Sequence, residues 1–216
     1  MPTKAYGKFL VNLETVNRLE GSYDEIRTRR NQRGRAAYDH ITRSAIIFLA
    51  SAFEVYIEDV IKECCRQHIS FAGDAKNLPG GVKDTINRYV KNENNGVPPT
   101  NLCDEGWRDV YRIIVEYETE KLNTPKKRQI TDLFHKLVGI NNSTVENLHG
   151  INDLDGVISF RGEIAHRVRA EQYVSIQQVH NNMNIIRELV IEIDKMILDY
   201  FRTCYVGKRL PWNHTY

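Results

Sequence analysis

Phe160-Arg161-Gly162-Glu163-Ile164-Ala165-His166-Arg167 sets an arginine five positions before a histidine, beside apolar positions of helical spacing. Arginine offers a planar, permanently charged fork that matches a phosphate, and histidine is the side chain that titrates near neutrality. The pair therefore suits phosphoryl chemistry, with Arg161 holding the anion and His166 moving a proton. On a regular helix five steps rotate by about 140°. The two side chains converge only if the helix ends near His166 or if a second chain completes the site. The spacing alone equally fits an exposed arginine beside a partly buried histidine.

Other residues with chemical potential have weaker patterns. Cys64 and His68 share a helix face, but a zinc site wants four ligands and no second Cys/His pair stands at zinc-finger spacing. Neither metal nor cofactor is expected, and both residues fit the flank of a helix. Glu54 sits among apolar neighbours, where an unpaired carboxylate is costly. It is expected either at the bundle edge or paired with a cation such as Arg161, which it would orient. Lys126, Lys127 and Arg128, with Arg167 and Arg169, could steer a phosphate backbone, although each singly reads as solvated charge. The same holds for the cluster Arg27, Arg29, Arg30, Arg33 and Arg35. His40, His135, His149, His180 and His214 are expected at the surface or at helix ends. Trp107, Tyr111 and Tyr117 fall at helical spacing and read as core or dimer contacts rather than platforms for bases. There is no Gly-rich phosphate loop and no G-x-S-x-G elbow.

The elements that must position these residues are helical. Phe9, Leu10, Leu13, Val16 and Leu19 repeat at three and four over residues 8–30, with Gly21-Ser22 expected to break or restart the pattern. From about Tyr38 to His68, Ile41, Ala45, Phe48, Leu49, Ala52, Phe53, Tyr56, Ile57, Val60 and Ile61 keep an i, i+3, i+4, i+7 rhythm with no Gly or Pro. This predicts a long helix, ended by Gly73 and Asn77-Leu78-Pro79-Gly80-Gly81. Shorter helices are expected over 82–92, 105–122 and from Pro125 to Leu137, the last closed by Gly139, with 143–152 as a connector. A further helix, from about Leu154, ends near His166. Ser175 and Gln178 form a capping box that opens a final long helix through Tyr200. No strand alternation and no internal repeat stand out. The expectation is an all-α, up-and-down helical bundle on two long core helices with shorter accessory helices.

Composition agrees with one ordinary domain. The 216 residues are 41% apolar and 27% charged, with a net charge of +2 and pI near 8.3. A nucleic-acid partner is permitted, not required. Four cysteines without framework spacing, and an N-terminus, MPTKAYGKFLVNLE, without an apolar export run, predict a reduced cytoplasmic protein. The longest apolar stretch, Ala45–Ala52, is too short to span a bilayer, so no membrane role is expected.

Three stretches in order carry a family resemblance. Ser51-Ala52-Phe53-Glu54-Val55-Tyr56, then Ile130 through Ile140 (ITDLFHKLVGI), then Arg161 through His166 resemble HEPN domains, in the RiboL-PSP-HEPN branch or the related MAE-type HEPN-like nucleases. The resemblance covers roughly residues 38–203. It implies an organisation of an N-terminal helical, basic extension (1–37), a HEPN-like bundle (38–204) and a C-terminal tail (205–216). It also implies a homodimer whose R-x4-6-H motifs meet across the interface in one composite site. Many such domains are metal-independent endoribonucleases of toxin–antitoxin and phage-defence systems, so an antitoxin or defence-system partner protein is a further expectation. Carried over, Arg161 would stabilise the scissile phosphate and His166 would act as general acid or base for attack by the ribose 2′-hydroxyl. The alternative is a catalytically silent HEPN module that binds RNA or a protein. Many active members have a polar residue directly after the arginine, where this chain has Gly162. The tyrosine that nucleotidyltransferase partners modify in some members, two places after the histidine, is Val168 here.

Overall fold

A computed structural model describes residues 2–30, 38–123, 125–166 and 173–213. Among these the chain forms eight α-helices and no strand: α1 (Lys4–Arg30), α2 (Asp39–Ala72), α3 (Gly80–Lys91), α4 (Gly106–Glu120), α5 (Lys127–Leu133), α6 (Asn142–Glu146), α7 (Ile151–His166) and α8 (Ile176–Cys204). The all-α bundle expected from the apolar rhythm is what forms.

The 34-residue α2 is the hub, because α1, α4, α7 and α8 all pack on it. Its buried side chains run from Ile46, Leu49 and Ala50 through Phe53, Ile57, Val60 and Ile61 to Cys64, a stripe too wide for one neighbour to cover. Gly73 ends it with φ 69°, a conformation that glycine takes without steric penalty. The α1–α2 pair is antiparallel, since Lys8 bridges Asp59 near one end and Tyr23 stacks edge-on with Tyr38 at the other. The α2–α8 pair is parallel. Asp39 accepts from the Val174 N–H, the Tyr56 hydroxyl donates to the Val190 carbonyl, and His68 meets Tyr205.

The helix α1 runs unbroken through Gly21-Ser22, where a break was expected. One interior glycine costs a helix only about 1 kcal/mol. Tyr23 (buried) and Leu19 and Ile26 (half-buried) pack on one cluster and carry the helix across the gap. Phe9, Leu13 and Val16 of α1 lie in the same core as α2 and α8.

The first turn of α1 is held by two carboxylates from other helices. Asp194 of α8 accepts from the Thr3 N–H at 3.0 Å and from the Thr3 hydroxyl. Glu63 of α2 accepts from the N–H groups of Lys4 and Ala5, each at 3.1 Å, and from the Trp212 indole at 2.7 Å. These are the N–H groups that a helix cannot satisfy internally, and negative charge there also complements the helix dipole. The capping box at α8 forms as the sequence predicts, with the Gln178 N–H donating to Ser175 Oγ at 3.2 Å and the Ser175 N–H to Gln178 Oε1 at 2.8 Å.

The segment from Lys127 to Gly139 is α5 followed by one π-turn, Phe134–Val138. The last carbonyls of this segment have no partner within it, and side chains of other helices take up two of them: the Tyr111 hydroxyl donates to Leu137, and His68 Nε2 to Val138 at 3.0 Å. Gly139 closes the turn with φ 88°. A Cβ there would stand 2.3 Å from Pro79 Cβ and 2.7 Å from the Tyr200 hydroxyl.

Candidate functional site

The helix α7 presents Leu154, Val157, Ile158 and Ile164 to the core. Arg161 follows Leu154, Val157 and Ile158 at i+7, i+4 and i+3, so it continues the inward stripe and is half-buried. Its Nε is shielded from solvent and has no hydrogen-bond partner among the described residues. A buried guanidinium nitrogen left unpaired is costly, which makes Arg161 a candidate anchor for an anion.

His166 is the last residue of α7; its side chain lies outside the described residues. Because α7 stays helical through position 166, positions 161 and 166 stand about 140° apart around its axis. Glu54 is half-buried on α2, one turn from Ala50 and Ile57, and is itself engaged rather than free. Helix α2 packs against α7.

Of the candidate basic residues, Lys127 is committed to structure. Its N–H donates to Asp155 at 2.8 Å and its ammonium to Asn152 at 2.7 Å, docking the start of α5 on the first half of α7. Lys126 and Arg128 flank it and are exposed. About 9 Å of helix rise separates Asp155 from Arg161. Arg167 and Arg169 lie outside the described residues, as do Arg33 and Arg35 of the earlier basic cluster.

Histidines divide sharply. His40 and His135 are exposed, and His149 and His180 face Glu188 and Glu20 at 3.8 and 3.3 Å. His214 lies outside the described residues. His68, expected on a helix flank beside Cys64, is instead fully buried, with Cys64 and Cys65 buried next to it. A carbonyl only accepts, so the contact to Val138 makes His68 Nε2 the donor and Nδ1 the acceptor of the Tyr205 hydroxyl at 2.7 Å. Burial pushes its pKa down to about 4, against the upward pull of the Val138 hydrogen bond. Burial also pushes Cys65 up to about 12 and Cys64 well above the usual thiol range, so neither is a thiolate near neutrality.

Sequence reasoning passed over Glu63 and Asp194 and set His68 on a helix flank; all three are buried polar groups that brace the bundle. The available signal was an ionisable residue inside an apolar stripe, such as Asp194 among Val190, Ile193 and Ile197. No three His, Cys, Asp or Glu residues converge as a metal-binding set among the described residues. No helix among them is long and apolar enough to cross a membrane.

Comparison with curated proteins and with solved structures returned no match. Comparison with family models did, and the matched region starts inside α1, ahead of the motifs that carry the resemblance in the sequence. The model described as RiboL-PSP-HEPN matches residues 12–199, and the chain belongs to that family.

Proposed function

We propose that this chain is a metal-independent endoribonuclease whose site is completed by a second copy. Family membership points to a nuclease-like or RNA-related module, and Arg161 carries the finer reading. It is a permanently charged group held on the inward stripe of α7, with a buried Nε that no described residue satisfies. A phosphate is the ligand its fork fits.

The reaction balances on these two residues. An imidazole of His166 takes the proton of the ribose 2′-hydroxyl, and the 2′-oxygen bonds to the adjacent phosphorus. The bond from phosphorus to the 5′-oxygen breaks, and a protonated imidazole gives that oxygen its proton. The products are a 2′,3′-cyclic phosphate and a 5′-hydroxyl end. Arg161 offsets the charge that grows on the phosphoryl oxygens. Positions 161 and 166 diverge on one helix, which favours a homodimer in which each chain supplies part of one composite site. Glu54 orients Arg161, and Lys126, Arg128, Arg167 and Arg169 steer the backbone of the RNA, with Lys127 docking α5 on α7 between them. The biological setting we infer is a cytoplasmic toxin or phage-defence effector, held in check by an antitoxin or defence-system protein.

Total RNA incubated in EDTA with the parent protein, Arg161→Ala and His166→Ala tests this. Cleavage by the parent alone, leaving cyclic phosphate ends, is the expected result. Equal cutting by the variants would remove Arg161 and His166 from the site. RNA binding without cleavage would make the chain a silent binding module.

A further inference from the structure

The cleft where α3 and the loop after it meet α4 belongs to none of the machinery above. It holds about 260 Å³, near the lower end of the roughly 300–1,000 Å³ span of small-ligand pockets. That volume suits one nucleobase with its phosphate at the mouth better than a large cofactor. Tyr117, expected in the core or an interface, is instead 45% exposed in its wall. Its ring stands edge-to-face with Tyr89 at 6.3 Å between centroids.

Charge and hydrogen-bonding capacity in the cleft are unspent. Arg88 turns to its own helix, donating to the Asp84 carbonyl at 3.4 Å and to Thr85 Oγ1 at 3.3 Å, and has no carboxylate partner among the described residues. Lys136 likewise has no ion-pair partner among them, and the acid in the wall, Glu118, lies 4.0 Å from Lys121. Asn95 donates from Nδ2 to the Tyr89 carbonyl at 2.8 Å, and Asn92 Oδ1 accepts from the Asn94 N–H at 3.2 Å. This leaves Asn92 Nδ2 and Asn95 Oδ1 for a ligand's edge. Lys121 Nζ sits 3.3 Å from the centroid of the Tyr117 ring. An exposed cation–π contact is weaker than stacking of a base on an aromatic ring. A base can therefore displace the ammonium from the ring and leave Lys121 free for the phosphate.

We propose that this cleft binds one unpaired nucleotide of single-stranded RNA, the base on Tyr117 and the phosphate between Arg88 and Lys136. Base and phosphate recognition follow from the cleft itself; the choice of RNA rests on the functional reading above. Glu118 and Lys136 also line an adjoining groove with Gln129 and Asp132. The Gln129 side chain accepts from the Lys126 N–H at 3.1 Å, at the end of α5 that docks on α7. A strand seated in the cleft is thereby led along α5 toward α7.

The test is fluorescence anisotropy with a labelled 2′-O-methyl oligouridylate, which cannot be cut because its attacking hydroxyl is blocked. The parent protein is expected to bind. Tyr117→Ala should weaken binding about tenfold and Tyr117→Phe should preserve it. Arg88→Gln and Lys136→Gln should each lower the slope of log affinity against log salt by about 0.7. No binding by the parent, or unchanged binding by Tyr117→Ala and both cation variants, would overturn the cleft. Cleavage of ordinary RNA by the parent, Arg161→Ala and His166→Ala reports on the functional reading, so its failure and the failure of the cleft are told apart.

Discussion

His68 Nδ1 accepts from the Tyr205 hydroxyl at 2.7 Å in the centre of the protein, while its Nε2 holds the Val138 carbonyl of the π-turn. The bond to Tyr205 requires a neutral ring, because only an unprotonated Nδ1 can accept, whereas the Nε2 donor is kept on protonation. The pKa of His68 is about 4 in the folded chain and about 6.5 when unfolded. Between these values the unfolded chain binds the extra proton, so the stabilisation is complete above pH 6.5 and disappears as pH falls toward 4. The full difference is about 3 kcal/mol. Urea unfolding at pH 7 and pH 4.5 should show this loss in the parent. His68→Gln should have a lower stability at pH 7 and a shallower decline; an equally steep decline would remove His68 as the cause.

Glu63 accepts three hydrogen bonds, two buried and one part-buried, that tie together the start of α1, the second half of α2 and the tail at Trp212. Glu63→Ala should destabilise by about 3 kcal/mol or more, because donors near a missing charged acceptor stay unsatisfied. Glu63→Gln, which keeps one acceptor, should cost less. Hydrogen exchange at Lys4 and Ala5 should quicken in both. Unchanged protection there would mean that Glu63 does not hold α1.

Two glycines should respond with opposite signs. Gly139 has φ 88° and no room for a methyl group, so Gly139→Ala should cost about 2 kcal/mol or more. Nothing stands within 4 Å of a Cβ at Gly162 on α7, so Gly162→Ala should add about 0.5–1 kcal/mol by helix propensity. In a chain of this length the latter is a rise of about 1–4 °C in Tm. A fall in Tm for Gly162→Ala would show that this part of α7 needs the glycine.

If a second chain completes the site, specific activity should fall on dilution in step with the dimer fraction measured by sedimentation. His166→Ala should lose about 10²–10⁴-fold in cleavage rate, the usual contribution of a general acid or base. Arg161→Lys keeps the charge but not the planar fork. It should lose cleavage while retaining RNA binding. A monomer with full activity would defeat the composite site.

The helices themselves were legible in the sequence, because periodicity, glycines and caps are local properties. Gly73 and the Ser175–Gln178 capping box are examples, the one ending α2 and the other opening α8 as the sequence places them. His68 and Tyr117 show where that legibility stops. Both continue helical rhythms, yet tertiary packing buried the first against α8 and the π-turn and left the second at the mouth of a cleft. The break expected at Gly21-Ser22 failed for a related reason, since packing of Leu19, Tyr23 and Ile26 outweighs one glycine.

By itself, then, the sequence determined the helical class and, to within a few residues, the ends of α2 and α8. Only the tertiary structure decided which polar groups sit in the core and which rings meet solvent. The same structure left Arg161 Nε without a described partner. A helix face is a property of its own residues, whereas burial depends on the neighbour that covers it, brought there from up to 191 positions away, as Asp194 is to Thr3.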